Sequence, residues 1–303
     1  MSNHRIYTVI VTYNAMQWID RCLDSLRHSS IPSEVIIVDN GSQDKTTAHI
    51  ERHYPEMHLI AQNRNLGFGQ ANNIGIREAL AQGATHVLIL NQDAWIDTNM
   101  LEALLVYDDG NSLLSPVHLN GSGDRIDANF ERNTIKKSQE YSRYKQEQAQ
   151  GKTGRYATKQ INAACWLLPR TILEEIGGFS PLFFHYAEDN DYMQRLQFHG
   201  KGVYFVSGIY CYHDREHASP KLPSKQSIYQ QLVLRAVDIN HSLCRCWWMR
   251  MRYGIAVWHT AIAEHRLRDI HCYFQAKRLF CCRYKEIKQN RHIIQTRGAH
   301  WLQ

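Results

Sequence analysis

The sequence predicts an α/β fold in which a mostly parallel central sheet is flanked by helices and followed by a C-terminal helical extension. Three features predict it. Short β-branched apolar runs alternate with stretches whose apolar residues recur at helical spacing. Polar or acidic residues stand at the ends of these runs, at Thr12, Asp39 and Asp93. From about residue 228 the pattern changes to a basic, aromatic-rich stretch with helical periodicity.

The elements follow in order. Residues 6–12 (IYTVIVT) and 35–39 (VIIVD) are runs of the kind expected of strands covered on both faces. Between them Trp18, Cys22, Leu23 and Leu26 mark a helix, and Pro32 marks the turn back. NGSQDKTTAHI is a turn feeding a second helix. A weak strand at 58–61 precedes the loop QNRNLGFG and a helix over about 70–81, and 86–90 (HVLIL) is a buried strand ending in Asn91-Gln92-Asp93. Residues 120–160 carry few large aliphatic side chains and many charges, which predicts a flap over the site or a solvent-exposed insertion. Order resumes with INAACWLLPRTILEEIGGF, a strand and a short helix closed by Gly177-Gly178. A helix over about 188–198 then leads through Gly200 to the strand GVYFVS. Ile228, Leu232, Ala236, Ile239 and Leu243 form one apolar helical stripe. The expected organisation is a catalytic domain over 1–227 and a basic, aromatic-rich helical region over 228–303.

At 303 residues and 44% hydrophobic, the chain can bury one large core and a smaller appendage. No run of about 18 uncharged apolar residues occurs, so a transmembrane helix is not expected. The N-terminus enters an apolar segment at once without a cleavage-site pattern and reads as a first strand, not a signal peptide. Cys22, Cys165 and Cys211 are isolated and the other five of the eight cysteines lie in the basic tail with no CxxC pair. Reduced thiols in the cytoplasm are the expectation. Residues 1–115 hold 7 Lys and Arg against 13 Asp and Glu, 116–234 hold 15 against 12, and 235–303 hold 13 against 4. Only the last segment is strongly basic, a pattern that suits nucleic acid or anionic lipid headgroups.

A dinucleotide-binding fold needs a Gly-rich turn after the first strand. TYNAM stands there, and GxxxxGK[ST] is absent as well, so nicotinamide, flavin and P-loop chemistry are excluded. What remains is a set of acids at strand ends, where ligands of open α/β sheets bind. Asp39 caps the turn that follows it or contacts a ligand. Asp93 interrupts a buried strand, and a carboxylate there suits a divalent ion bridging phosphate oxygens, or else a turn cap. Glu188, Asp189 and Asp191 open a helix, where free N–H groups favour acids in any case. They follow the aromatic run Phe183-Phe184-His185-Tyr186, whose rings suit stacking on a sugar. His213 stands between a strand and the polar DREHAS, a position open to metal ligation.

Several separated motifs together resemble the family 2 inverting glycosyltransferases of GT-A fold, and especially the bacterial rhamnosyltransferase-like branch of surface-polysaccharide assembly. They are Val11-Thr12-Tyr13-Asn14, Val38-Asp39-Asn40-Gly41-Ser42-Gln43-Asp44-Lys45-Thr46, Asn65-x-Gly67-Phe68-Gly69-x-Ala71-x-Asn73-x-Gly75, Leu90-Asn91-Gln92-Asp93, and Gly177-Gly178-Phe179 with Phe183-Phe184-x-Tyr186-x-Glu188-Asp189-x-Asp191 and Arg195. The resemblance covers about residues 6–219. It implies a nucleotide-diphospho-sugar transferase with a dTDP- or UDP-linked donor and Mg²⁺ or Mn²⁺. By the same resemblance the donor lies along Thr12, Tyr13, Asn14, Asp39, Asn65, Gly67, Asn73, Asn91 and Gln92. Asp93 and His213 hold the metal, Asp189 is the base, and the acceptor enters near Trp166, Tyr186, Glu188 and Asp191. The chain departs from the family where Gln92 replaces Pro, Asn91 replaces the first acid of DxD, Ala163-Ala164 stand near the usual Gly-Ala, and Ser180-Pro181 follow Phe179.

The implied partners are a nucleotide sugar and a saccharide or lipid-linked saccharide acceptor of O-antigen or capsule synthesis. Peripheral contact with the inner face of the cell membrane and a homo-oligomer are further expectations, and nucleic acid is not expected. The competing readings are a sugar nucleotidyltransferase, which lacks its charged Gly-rich loop here, and a non-catalytic carbohydrate- or lipid-surface-binding module. Retention of Asp93 and Asp189 speaks against the second.

Overall fold

The computed structural model describes residues 4–215 and 222–303. Of the resemblance, the stretch 216–219 lies outside the described residues. The first half is built as read. β1 (Ile6–Thr12), α1 (Ile19–Arg27), β2 (Glu34–Asp39), α2 (Thr46–His53), β3 (His58–Ala61), α3 (Phe68–Ala81) and β4 (His86–Asn91) alternate, and β1 pairs in parallel with both β2 and β4. Gly75 lets α3 lie directly on this sheet, because a Cβ there would stand 2.4 Å from Val9 Cγ1.

The second half differs from the expectation. The sheet is mixed, in the order β3-β2-β1-β4-β8-β6-β9-β5. After β5 (Ala94–Ile96) and α4 (Met100–Leu105), β6 (Ser112–Asn120) enters the sheet at a distance from β4. β8 (Cys165–Pro169) then fills the gap, running antiparallel to both. β6 pairs in parallel with β9 (Gly202–His213), with a register shift at Pro116/Val117, where proline's missing donor is tolerated.

Residues 120–160, expected as a flap or insertion, carry packed elements. Asp127 Oδ1 accepts from Phe130 N (2.7 Å) and caps the short α5 (Ala128–Phe130). A π-helical turn (Glu131–Ile135), α6 (Tyr141–Ala149) and β7 (Arg155–Ala157) follow, and β7 pairs with β9. Phe130, Ile135, Tyr144 and Tyr156 are buried in the main core, with Tyr156 stacked on Phe205 at 5.3 Å. Aromatic rings do the anchoring that the missing aliphatic residues led us not to expect.

α7 (Arg170–Ile176) ends at Gly177, and α8 (Glu188–Phe198) carries the acidic cluster in its first turn. The helical extension starts with α9 (Lys225–Val237), where Ser224 and Ser227 form a capping box. Ile228, Leu232 and Ala236 are buried as the stripe requires, but the chain turns at Asp238 and Leu243 opens α10 (Leu243–Ala263) fully exposed. α11 (Leu267–Cys282) and α12 (Tyr284–Ile293) complete the bundle. The end of the chain then returns to the sheet domain. Gly178 N donates to His300 O (2.8 Å), Gly298 N to Glu175 O (2.8 Å), and Leu302 joins the main core beside Gly178.

Arg195 holds this junction from beneath. It pairs with Asp191 (2.9 Å) with both side chains buried, and donates to Ile176 O (2.9 Å) and Gly178 O (2.8 Å). Removing one partner of such a pair leaves an uncompensated buried charge. Arg195→Met is therefore expected to lower stability by about 3–5 kcal/mol in urea titration. Adding Asp191→Asn should recover part of that loss, and additive losses would show that the two groups are not coupled.

Candidate active site

The carboxyl ends of β1, β2 and β4 lie side by side, and the loops leaving them interlock. Thr12 Oγ1 donates to Asp39 Oδ1 (2.9 Å), and Asp39 also accepts from Ser42 N (2.8 Å) and Ser42 Oγ (2.5 Å). Both Thr12 and Asp39 are buried. Asn14 sits in the left-handed region (φ 51°), which asparagine tolerates, and its side chain accepts from Gln43 N (2.8 Å). Tyr13 is left 41% exposed beside these groups. Gln92, in place of the usual proline, grips the Tyr13 backbone from β4: Tyr13 N donates to Gln92 Oε1 (2.7 Å) and Gln92 Nε2 to Tyr13 O (3.3 Å).

The Asn65–Gly75 motif joins this sheet end to the acidic cluster. Asn65 Oδ1 accepts from Asn40 Nδ2 (3.0 Å) and Gly67 N (2.8 Å). Gly67 (φ 84°) lies so close to the Phe184 carbonyl that a Cβ would meet it at 2.0 Å, and Phe68 N donates to that carbonyl (3.1 Å). Asn73 uses both ends of its amide on one residue, donating to Phe179 O (2.8 Å) and accepting from Phe179 N (2.7 Å). Asn73, expected along the nucleoside, is thus inside the fold as a bridge to the Gly-Gly-Phe turn.

The acidic helix starts from a constrained backbone. Tyr186 (φ 71°) and Ala187 (φ 73°) are both left-handed without being glycine, a costly conformation that is kept where the surroundings over-determine it. The Phe184 carbonyl is held by Phe68, and the His185 carbonyl accepts from Gln230 Nε2 of α9. Tyr186, expected on the acceptor side, is exposed, and so is Phe184. Two other residues expected there are not on the surface. Trp166 is fully buried on β8, packed against Phe179 (6.0 Å) and Tyr192 (5.6 Å), because its face of the strand belongs to the main core. Asp191 points inward to Arg195, one helical turn along α8.

Asp93 and His213 come together at the β5–β9 pairing, with Asp93 Oδ1 3.3 Å from His213 Nε2. Asn91 Nδ2 lies 3.4 Å from the same nitrogen, and Asn91 Oδ1 is buried without a hydrogen-bond partner among the described residues. Among the described residues no group of three or more His, Cys, Asp or Glu converges. Arg215, which sequence reading passed over within the polar stretch after His213, places its Nε 3.2 Å from His213 Nε2. The signal for it was only its position, two residues beyond the histidine at the end of β9.

Electrostatics separates the acids. Burial acts to raise Asp93, but the His213 hydrogen bond and the charges of His213 and Arg215 outweigh it and hold the carboxyl below its usual value. For Asp189 burial prevails and raises the carboxyl, against the Asn190 hydrogen bonds and the same Arg215 charge. The charge of one guanidinium thus acts on both acids. Glu188, expected on the acceptor side, is buried, and burial with the charges of Asp189 and Asp191 pushes it up to about 8.

A mixed sheet flanked by helices, with a helical extension behind it, is the architecture of the GT-A nucleotide-sugar transferase fold. The sequence profile described as "Glycosyl transferase family 2" matches residues 7–177, and the chain belongs to that family. The family is one of glycosyltransferases. The chain is similar to the dTDP-rhamnosyl transferase RfbF of Shigella flexneri, 36% identical over 112 residues, which are 35% of this chain and 36% of that protein. That match thus spans little over a third of the relative's length. An N-acetylglucosaminyl-diphospho-decaprenol L-rhamnosyltransferase of Mycobacterium tuberculosis is 25% identical over 247 residues, covering 71% of this chain and 78% of the relative. Among solved structures, S. aureus TarS 1–349 in complex with UDP-GlcNAc superposes with a TM-score of 0.61 at 16% identity, covering 96% of this chain and 90% of that one. The mannosyltransferase PcManGT from Pyrobaculum calidifontis, in complex with GDP-Man and Mn²⁺, gives 0.57 at 17% identity over 97% and 86%. These structural likenesses establish the fold.

Glu188 sets a pH signature. Folded Glu188 keeps its proton up to about 8, whereas the ordinary value for the group is 4.5. Between those values the folded chain binds more protons than the unfolded one, so stability falls as pH rises through that window, by at most about 1.4 kcal/mol per pH unit. Glu188→Gln is expected to flatten this fall and to be the more stable protein at the alkaline end. Urea midpoints across the window measure it, and parallel profiles for the two proteins would remove Glu188 as the source.

Proposed function

We propose that this chain is an inverting, metal-dependent glycosyltransferase that moves a deoxyhexosyl group, rhamnosyl by its relatives' names, from a dTDP- or UDP-linked donor. The acceptor is a saccharide or lipid-linked saccharide of surface-polysaccharide synthesis, and the enzyme works in the cytoplasm. The observation that carries the reading is the opposite tuning of two acids that share the charge of Arg215: Asp93 lowered beside His213, Asp189 raised by burial.

The donor set fits a divalent cation. Asp93 offers a carboxylate, His213 a buried imidazole nitrogen, and Asn91 an amide oxygen that has no other partner among the described residues. These few protein ligands leave positions for diphosphate oxygens, as hard ions that bind phosphates prefer. A bound Mg²⁺ or Mn²⁺ there would neutralise charge on the departing nucleoside diphosphate. The protein's own groups do the rest. Exposed Tyr13 offers a ring for the base, on a loop fixed by Gln92 and Asp39. Tyr186 and Phe184 offer faces to the acceptor sugar. Asp189 takes the proton from the acceptor hydroxyl as that oxygen attacks the anomeric carbon and the bond to the diphosphate breaks. The carbon is inverted with no glycosyl-enzyme intermediate. Arg215, within the field of both acids, stabilises negative charge at the same mouth.

Substituting each acid by its amide separates the roles. Asp93→Asn should weaken Mn²⁺-dependent binding of the nucleoside diphosphate in calorimetric titration as well as turnover. Asp189→Asn should bind donor and metal nearly as wild type and lose about 10²–10⁴-fold in transfer rate at saturating donor. Undiminished transfer by the Asp189 variant would move the base elsewhere, and full metal-dependent affinity in the Asp93 variant would break the metal assignment.

A further inference from the structure

The helical extension carries an apolar surface that nothing in the fold covers. Along α10, Leu243, Trp247, Met251, Ile255, Trp258 and Ile262 recur every third or fourth residue, so they share one face. All six are between 38% and 66% exposed. The buried side of the same helix is Cys246, Gly254 and Ala261, and Gly254 is pressed so closely on α11 that a Cβ would stand 2.3 Å from the Tyr273 hydroxyl. The apolar face is therefore fixed outward. At one end it continues onto exposed Phe274 of α11, whose ring lies 5.5 Å from Trp258. At the other, Trp247 and Trp248 line an open depression of about 510 Å³ with Tyr284 and Lys288 of α12. Tyr253 of α10 is turned inward beneath Arg235 (4.3 Å), leaving the tryptophans and Phe274 outside.

Charge selects the occupant. Residues 235–303 hold 13 Lys and Arg against 4 Asp and Glu. Each of those acids already has a basic neighbour in the bundle: Glu264 and Asp269 pair with Arg266 (3.0 and 3.1 Å), Glu286 with Arg283 (2.7 Å), and Asp238 lies 3.8 Å from His241. Among the excess are exposed Lys288, which lines the same depression as the two tryptophans, Arg278, one helical turn beyond Phe274 on α11, and Arg245 and Arg252 of α10 itself. Among the described residues no helix is long and apolar enough to cross a membrane. An apolar helical face about 30 Å long, rich in tryptophan and bordered by cations, matches the boundary between acyl chains and anionic headgroups.

We infer that the exposed face of α10 is a docking surface for an anionic lipid bilayer, with the helix lying in the membrane plane. The inference does not depend on which sugar is moved or on which acid is the base. Its test is flotation of the full-length protein with vesicles of phosphatidylcholine alone or in equal mixture with phosphatidylglycerol. Wild type should float with the mixed vesicles, less so as salt rises, and remain below with the neutral ones. Ile255→Glu with Ile262→Glu should lower the bound fraction by more than about tenfold. Both residues are exposed, so thermal melting of the variant by circular dichroism should be unchanged. Arg245→Gln with Arg252→Gln should weaken binding and its salt dependence together. No flotation on the mixed vesicles, or equal flotation of wild type and the glutamate variant, overturns the inference. So does sedimentation showing a wild-type dimer that the same variant dissociates while vesicles capture neither, which would assign the face to a second copy of this chain.

Discussion

The two-way hydrogen bond between the Asn73 amide and the Phe179 backbone is the constraint on which the site depends. One half of the molecule is a parallel sheet with α3 lying on it. The half that carries Asp189 is the Gly-Gly-Phe turn, the aromatic segment and α8. Asn73 closes both polar groups of one peptide position with a single planar side chain, so Phe179 cannot shift without breaking two buried bonds. Gly69 and Gly67 permit the approach that this bond requires, the first against Phe179 and the second against the Phe184 carbonyl. The distance between the strand ends and Asp189 is therefore set by α3, an element that carries no catalytic group.

That geometry gives two acids of similar intrinsic strength different tasks. Asp93 stands where a histidine hydrogen bond and a guanidinium favour the charged form. Asp189 stands where burial favours the neutral one. Environments that push neighbouring carboxyls apart are how one site holds both an ion-binding anion and a proton acceptor. Arg215 is common to both fields, so the mouth is not purely acidic. It could balance the negative charge of the proposed diphosphate, beside the proposed cation site at Asp93.

The first half of the fold was legible because β1, β2 and β4 are buried parallel strands, and such strands announce themselves as apolar runs such as IYTVIVT and HVLIL. The second half was less so. β6 contains Pro116 and bends at it, β5 is three residues long, and 120–160 packs through Phe130, Tyr144 and Tyr156 spaced too widely to show a period. In the site, strand-end position located Asp39, Asp93 and His213 but could not tell a residue that faces the ligand from one that faces inward. Thr12, Asp39 and Asn73 carry internal hydrogen bonds, and Trp166 and Asp191 are core. Their motifs are as much about building the mouth as lining it. Asp191 shows why: one helical turn separates it from Arg195, and the pair fits only in the interior.

The Gly177-Gly178 pair shows that the helical extension is part of the same construction. Gly177 has φ 83°, which explains one glycine as a helix terminator. It does not explain the second. A Cβ on Gly178 would stand 2.2 Å from Asn73 Oδ1 and 2.8 Å from Leu302, while one on Gly177 would meet the His300 carbonyl at 2.4 Å. The turn is thus pressed between α3 on one side and the returning end of the chain on the other. With Gln230 of α9 holding the His185 carbonyl and Asn290 of α12 donating to Ser180 Oγ (2.9 Å), the bundle braces the segment that carries Asp189 at several points. A bilayer beneath α10 would then be joined through these braces to the loop proposed to receive the acceptor, so the proposed lipid face and the proposed sugar face would be held by one set of contacts.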